Sequence, residues 1–181
     1  MDYITTYTGE DIKPLAPNSE QIHIEDIAHA LSLLCRANGH FIRFYSVAQH
    51  SINCAKEAEA RGLSPKIQVA CLLHDASEAY LSDLTTPVKS QLPKYQKIEK
   101  HLQSVIYCVL LGCDLNDDET TVVKQIDHDM LVYEFNVLMK KKIFDENPKI
   151  SSAPNLDFCD FGDVEKEFIR LYQTCSNKFL R

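Results

Sequence analysis

The 181-residue chain predicts an all-α fold, a bundle of about six helices preceded by a short N-terminal arm that is extended or hairpin-like. Two observations carry this. Apolar residues recur at helical spacing over long stretches, and five Gly and seven Pro punctuate those stretches. Size adds a third: 45% hydrophobic content over 181 residues fills one core and not two, so a single domain is expected. We divide it into an arm (1–22), a helical core (23–145) and a linker with a last helix (146–181).

The arm contains the β-prone run Tyr3-Ile4-Thr5-Thr6-Tyr7 before Gly9, then Pro14 and Pro17. A first helix is expected from Ile24 to Ala37, with Ile27, Ala28, Leu31, Leu34 and Cys35 on one stripe and Gly39 just beyond. A second runs from Ser46 as N-cap to Arg61 and stops at Gly62. Ser64 followed by Pro65 is a strong start signal for a third, which should reach Tyr80. Pro87 and its polar neighbours mark residues 81–88 as a loop. A fourth helix is expected from Lys94 to Leu111, closed by Gly112, and a fifth from Asp118 to Lys142, with acids in its first turn and lysines in its last. Pro148 and Pro154 lie in a polar linker before an amphipathic helix from Phe161 to Phe179.

Composition excludes some functions. The net charge of -7 offers no broad basic surface for a nucleic-acid backbone, although a small phosphorylated ligand needs only a few local cations. The seven cysteines form no C-x-x-C pair and read as reduced, buried small hydrophobes. No leader-like N-terminus and no apolar run long enough to span a membrane is apparent, so a cytoplasmic protein is expected.

Polar residues on apolar faces carry the chemistry. The run Val69-Ala70-Cys71-Leu72-Leu73 ends in His74-Asp75, adjacent groups that need partners where packing would favour Leu or Ala. Imidazole with carboxylate suits zinc, manganese, iron, cobalt or nickel better than calcium. On the second helix, His50 interrupts the stripe Val47, Ser51, Cys54, Ala55, Ala58 and should point inward, as a ligand or as a hydrogen-bonded core histidine. On the fifth, Val123, Ile126, Met130, Val137 and Leu138 share an arc with Asp127 and Glu134 inside it; His128 and Asp129 fall on its flanks. Periodicity selects Asp127 as a ligand, with Asp129 as the fallback. Glu78 shares a side with His74 and Asp75 and reads as a general acid or base, or as a surface residue of a last helical turn.

Taken together, His50, His74-Asp75 and Asp127 resemble the H…HD…D pattern of the HD-domain metal-dependent phosphohydrolases. His74-Asp75-Ala76-Ser77-Glu78, Asp83-Leu84 and Thr86-Pro87-Val88-Lys89 look like the HDASE…DL-x-TPVK block of the bacterial 5'-deoxynucleotidases, and Val123-Lys124-Gln125-Ile126-Asp127 is similar to the stretch carrying that group's last ligand. Gln49 stands where those enzymes usually have Glu, and their Arg-Trp pair is absent, its place taken by Cys35-Arg36-Ala37-Asn38-Gly39-His40 and Arg43-Phe44-Tyr45. This variant resembles the compact HD hydrolases of phages and bacteria, some of which are dATP triphosphohydrolases.

The resemblance implies an HD-type bundle in which His50, His74, Asp75 and Asp127 hold one divalent transition metal (Mn, Co, Zn, Ni or Fe), with Mg serving the substrate phosphates. It implies Glu78 and Asp83 as catalytic acids or bases. By position in the sequence, Arg36, His40, Arg43 and Lys89 are candidates for the phosphate, each also readable as a surface or ion-pair group, and Thr86 for sugar or phosphate or for the turn alone. The implied substrate is a small 2'-deoxynucleotide: a dNMP cleaved at its 5'-phosphate, or a dNTP yielding tripolyphosphate. A non-catalytic nucleotide-binding module is the reading outside enzymes. The last amphipathic helix, and the relatives' habit of self-association, make a homo-oligomer the expectation.

Overall fold

A computed structural model describes residues 2–179. Ile4–Thr5 (β1) and Asp11–Ile12 (β2) pair antiparallel, so the arm is a small hairpin. It is tied down by Asp26, whose carboxylate accepts the amide and hydroxyl of Thr8 at 2.7 and 2.9 Å. The helices are α1 (Ile24–Leu33), α2 (Val47–Ala60), α3 (Pro65–Leu73), α4 (Glu78–Leu81), α5 (Thr86–Lys89), α6 (Pro93–Leu110), α7 (Asp117–Leu138) and α8 (Phe161–Ser176). Two of them, α4 and α5, are single turns, so the bundle expected from periodicity is what forms.

α2 is the central element and packs against α1, α3, α7 and α8. Its start is set locally: Ser46 Oγ accepts from the Gln49 amide while the Gln49 side chain accepts from the Ser46 amide, a reciprocal capping box. The residue that departs from Glu at position 49 thus still caps, because an amide oxygen accepts as a carboxylate does. Asn116 and Glu119 repeat this device at the start of α7, and Ser64 caps α3 with Pro65 at its first position. The core beneath is built from Ile27, Leu31, Val47, Ala48, Leu72, Leu73, Leu102, Ile106, Ile126, Met130 and Phe168, all essentially inaccessible.

Four boundaries depart most from the sequence expectations, three of them because a tertiary partner takes a helix-end backbone group. α1 stops at Leu33 rather than Ala37, because residues 34–36 pair with 45–47: Leu34 O accepts from Val47 N, and Arg36 N donates to Tyr45 O. The intervening turn carries Ala37, Asn38 and Gly39 at φ 54°, 50° and 74°. α3 stops at Leu73 rather than Tyr80, because side chains cover its terminal carbonyls: Tyr107 OH donates to Ala70 O, His74 Nδ1 to Cys71 O and Gln103 Nε2 to Leu73 O. The chain then turns through 74–77 and restarts as α4. The end of the expected loop 81–88 closes instead into the single turn α5, Thr86–Lys89, with Pro87 near its start where a proline is tolerated. α7 ends at Leu138 rather than Lys142, because Leu138 O accepts from Ile42 N and its side chain packs with Ala37, Phe41 and Tyr45. Val137, assigned to the buried arc, is half exposed beside that end.

Candidate metal centre

The break after α3 turns His74 and Asp75 toward α2 and α7, where they meet His50 and Asp127. His50 Nε2 lies 3.2 Å from His74 Nε2 and 3.0 Å from Asp127 Oδ1; His74 Nε2 lies 3.2 Å from Asp75 Oδ2 and 3.4 Å from Asp127 Oδ1; His50 Nε2 and Asp75 Oδ2 are 3.9 Å apart. An ion about 2.1 Å from each donor needs donor separations of about 3.0 Å at right angles and about 3.4 Å at the tetrahedral angle. Four of the five separations fall in that range, and the 3.9 Å pair lies between it and the about 4.2 Å of donors on opposite sides of an ion, so these residues fit one ion.

The tautomers support the fit. His74 Nδ1 lies 2.8 Å from the Cys71 carbonyl, and His50 Nδ1 lies 2.8 and 3.0 Å from the Glu134 carboxylate oxygens, with Cys54 Sγ farther off at 4.0 Å. Both Nδ1 atoms must donate, so both Nε2 lone pairs face each other, which is repulsive unless a cation or proton lies between them. The electrostatics agree. Burial opposes charge on both rings, and for His50 so does Arg36. Glu134 and Asp127 outweigh this at His50, and Asp75 and Asp127 do so at His74, so both imidazoles hold a proton more tightly than usual. Despite burial, Asp75 is held well below the usual carboxylate range by His74 and then Arg36, and Asp127 by both imidazoles.

Cys54, one turn beyond His50, places Sγ 3.5 Å from His50 Nε2, and the ligand atoms of His50, Cys54 and His74 lie within 4.8 Å of one another. Its thiol is pushed well above its ordinary value by burial and then by Asp127 and Glu134. It therefore stands beside the carboxylate and imidazole donors as a neutral S–H. Arg36 supplies the fixed positive charge. Its Nε is 3.2 Å from Glu134, Nη1 3.4 Å from Asp75 and Nη2 3.9 Å from Asp127, and the side chain is 9% exposed. Asp129, the alternative on α7, faces away and pairs with Arg61 at 2.8 Å, and His128 pairs with Glu146 at the surface.

Glu78 opens α4 beside this centre. It is 5% exposed, and among the described residues Oε2 has no hydrogen-bond partner. Burial first, then Asp75 and Asp83, push its carboxyl up to about 9, against the relief given by Lys89, whose Nζ is 3.5 Å from Oε1. Lys89 bonds more closely to Glu99, at 2.7 Å, and these carboxylates outweigh burial to raise its own value. Glu78 borders an open cleft of about 450 Å³ whose walls include Ala30, Leu33, Leu34, Leu81 and Ser82; Ser82 adopts φ 73°.

The remaining expected site residues lie farther out. Asp83 is half-buried and acts on Glu78 through its charge; Thr86 is exposed at the first position of α5. His40 is exposed after the left-handed turn, and its ring has no hydrogen bond among the described residues. Arg43 is turned outward onto Asp157 of the linker. Sequence reasoning placed Glu134 on the buried face without a role and gave none to Tyr45, Asn53 or Cys54. The available signals were the spacing of Glu134, two turns beyond Asp127, and of Cys54, one turn beyond His50.

No family model matches the chain. Among curated proteins it is 39% identical over 107 residues to the uncharacterized protein YfdR of Escherichia coli (59% of this chain, 57% of that protein) and 38% identical over 106 residues to an uncharacterized protein of Rhodobacter capsulatus (55% and 54%). It is 30% identical over 113 residues to a protein of Yersinia pestis named 5'-deoxynucleotidase (48% and 57%). The chain thus spans a little over half the length of the relatives it matches.

Proposed function

We propose that this chain is a divalent-metal-dependent phosphohydrolase of the HD type that removes the 5'-phosphate from 2'-deoxynucleoside monophosphates. The observation that carries the reading is the meeting of His50, His74, Asp75 and Asp127, from α2, the turn after α3 and α7, with both imidazoles locked to present Nε2 inward. The similarity to a protein named 5'-deoxynucleotidase supports the choice of substrate class.

A divalent ion held by these four residues would draw electron density from phosphorus and acidify an attacking water. The chain's own groups do the rest. Glu78 keeps a proton at neutral pH because it is buried beside Asp75 and Asp83, and it hands that proton to the 5'-oxygen that leaves the phosphate. Lys89, near Glu78 Oε1, adds positive charge where the phosphate oxygens gather, and Thr86 lies at the start of the same short helix. The cleft with Leu33, Leu34 and Leu81 beside Glu78 receives the nucleoside, apolar walls meeting the base and sugar faces. Arg36 is the buried counter-ion that lets three carboxylates stand together.

The test is a panel of dAMP, AMP, dATP and ATP incubated with the protein and Mn²⁺, Co²⁺ or Mg²⁺, with products resolved by chromatography. Orthophosphate from dAMP is expected. Tripolyphosphate from dATP with dAMP untouched would replace this substrate by the triphosphate, and no product from any of the four with metal bound would leave a binding module.

A further inference from the structure

His50 is anchored through a chain of hydrogen bonds that ends outside the helical core. Glu134 Oε1 accepts both His50 Nδ1–H, at 2.8 Å, and Tyr45 OH, at 2.7 Å. Asn53 Nδ2 donates to Tyr45 OH at 2.8 Å and to Asn155 O at 3.0 Å, while Asn53 Oδ1 accepts from Asn155 N at 3.2 Å. Asn53 thus pairs with the backbone of the linker as one peptide pairs with another. Tyr45 and Glu134 are fully buried and Asn53 almost so, which leaves each little alternative to these partners.

The linker is gripped along one row of α2. Glu57, one turn beyond Asn53, accepts from the amides of Ser151 and Ser152 and from Ser152 Oγ at 2.6–3.1 Å, and Gln49, one turn before it, donates to Asp157 O at 3.0 Å. Of these three contacts, only the Asn53 one continues inward to a metal-facing imidazole. The hydroxyl of Tyr45 is the bridge: it stays protonated, since burial and Glu134 push it well above its ordinary value, and so donates to Glu134 while accepting from Asn53.

We infer that Tyr45 and Asn53 are positioning residues that orient the Glu134–His50 pair and make the metal affinity of the centre depend on how the linker at Asn155 is seated. The inference rests on the metal centre proposed above and deepens it.

Titration of the metal-free protein with Co²⁺, followed by its visible d–d absorption, tests both separately. Tyr45→Phe deletes one oxygen and should weaken Co²⁺ binding about tenfold with an altered band shape; Asn53→Ala should move affinity in the same direction by several-fold. In the metal-free protein at alkaline pH, where the His50 ring is neutral, its ¹⁵N shifts should move toward a mixture of tautomers in Tyr45→Phe, a readout that stands even if Asn53→Ala does not fold. Wild-type protein that binds no Co²⁺ would overturn the metal centre itself. Wild-type binding with unchanged affinity, band shape and ring shifts in Tyr45→Phe would overturn this inference alone.

Discussion

Replacing Glu78 by Gln should stabilise the metal-free protein at neutral and alkaline pH while removing its turnover. The folded protein holds this carboxyl at about 9 against an ordinary 4.5, because burial, Asp75 and Asp83 disfavour its charge. Between those two values the folded state binds a proton that the unfolded state has released, so wild-type stability falls as pH rises from 4.5 to 9. At about 1.4 kcal/mol per pH unit, the loss between pH 5 and pH 8 is about 4 kcal/mol at most. Gln fills the same space and has no charge to bury. Urea unfolding of both proteins in EDTA at pH 5, 6.5 and 8 measures the difference. The expected result is a gap that widens with pH in favour of Glu78→Gln, with metal content after reloading unchanged. Parallel stabilities across the three pH values would refute the argument that Glu78 is held protonated, and full turnover in the variant would remove it from the chemistry.

Three further outcomes follow from the same geometry. His74→Ala and Asp75→Ala should each lose bound metal by elemental analysis and lose phosphate release together, because each deletes a donor from the shared point. Metal binding should release protons and tighten as pH rises through the neutral range, since both imidazoles are raised above 6.5 and exchange a proton for the ion; calorimetry in buffers of different ionisation enthalpy counts them. Arg36→Met should destabilise the metal-free protein by about 3–5 kcal/mol by leaving Asp75, Asp127 and Glu134 uncompensated, and added Mn²⁺ should restore much of the melting temperature.

The sequence was legible where structure is set by neighbours along the chain. Ser46 with Gln49 and Ser64 with Pro65 announce helix starts because a cap acts within three residues, and periodicity showed which faces of α2 and α7 are buried. Helix ends were legible less well. Ala37 was expected to continue α1 and Tyr80 to continue α3, but Tyr45 and Val47 claim the backbone after α1, and Gln103 and Tyr107 claim the carbonyls of α3 from another helix.

By itself, then, the sequence determined an all-helical bundle and a short set of polar groups with no local reason to be buried: His50, His74, Asp75, Asp127 and Glu134. Their meeting was decided by tertiary structure alone, because Asp127 lies 77 residues from His50 and Glu134 lies 84 from it, separations that no cap or periodic pattern spans. The role of Glu134, the outward turn of Arg43 onto Asp157 and the attachment of Asn155 to Asn53 belong to the same class. Each is a hydrogen bond or ion pair between segments brought together by the packing of α2 against its neighbours, and its geometry exists only once that core has formed.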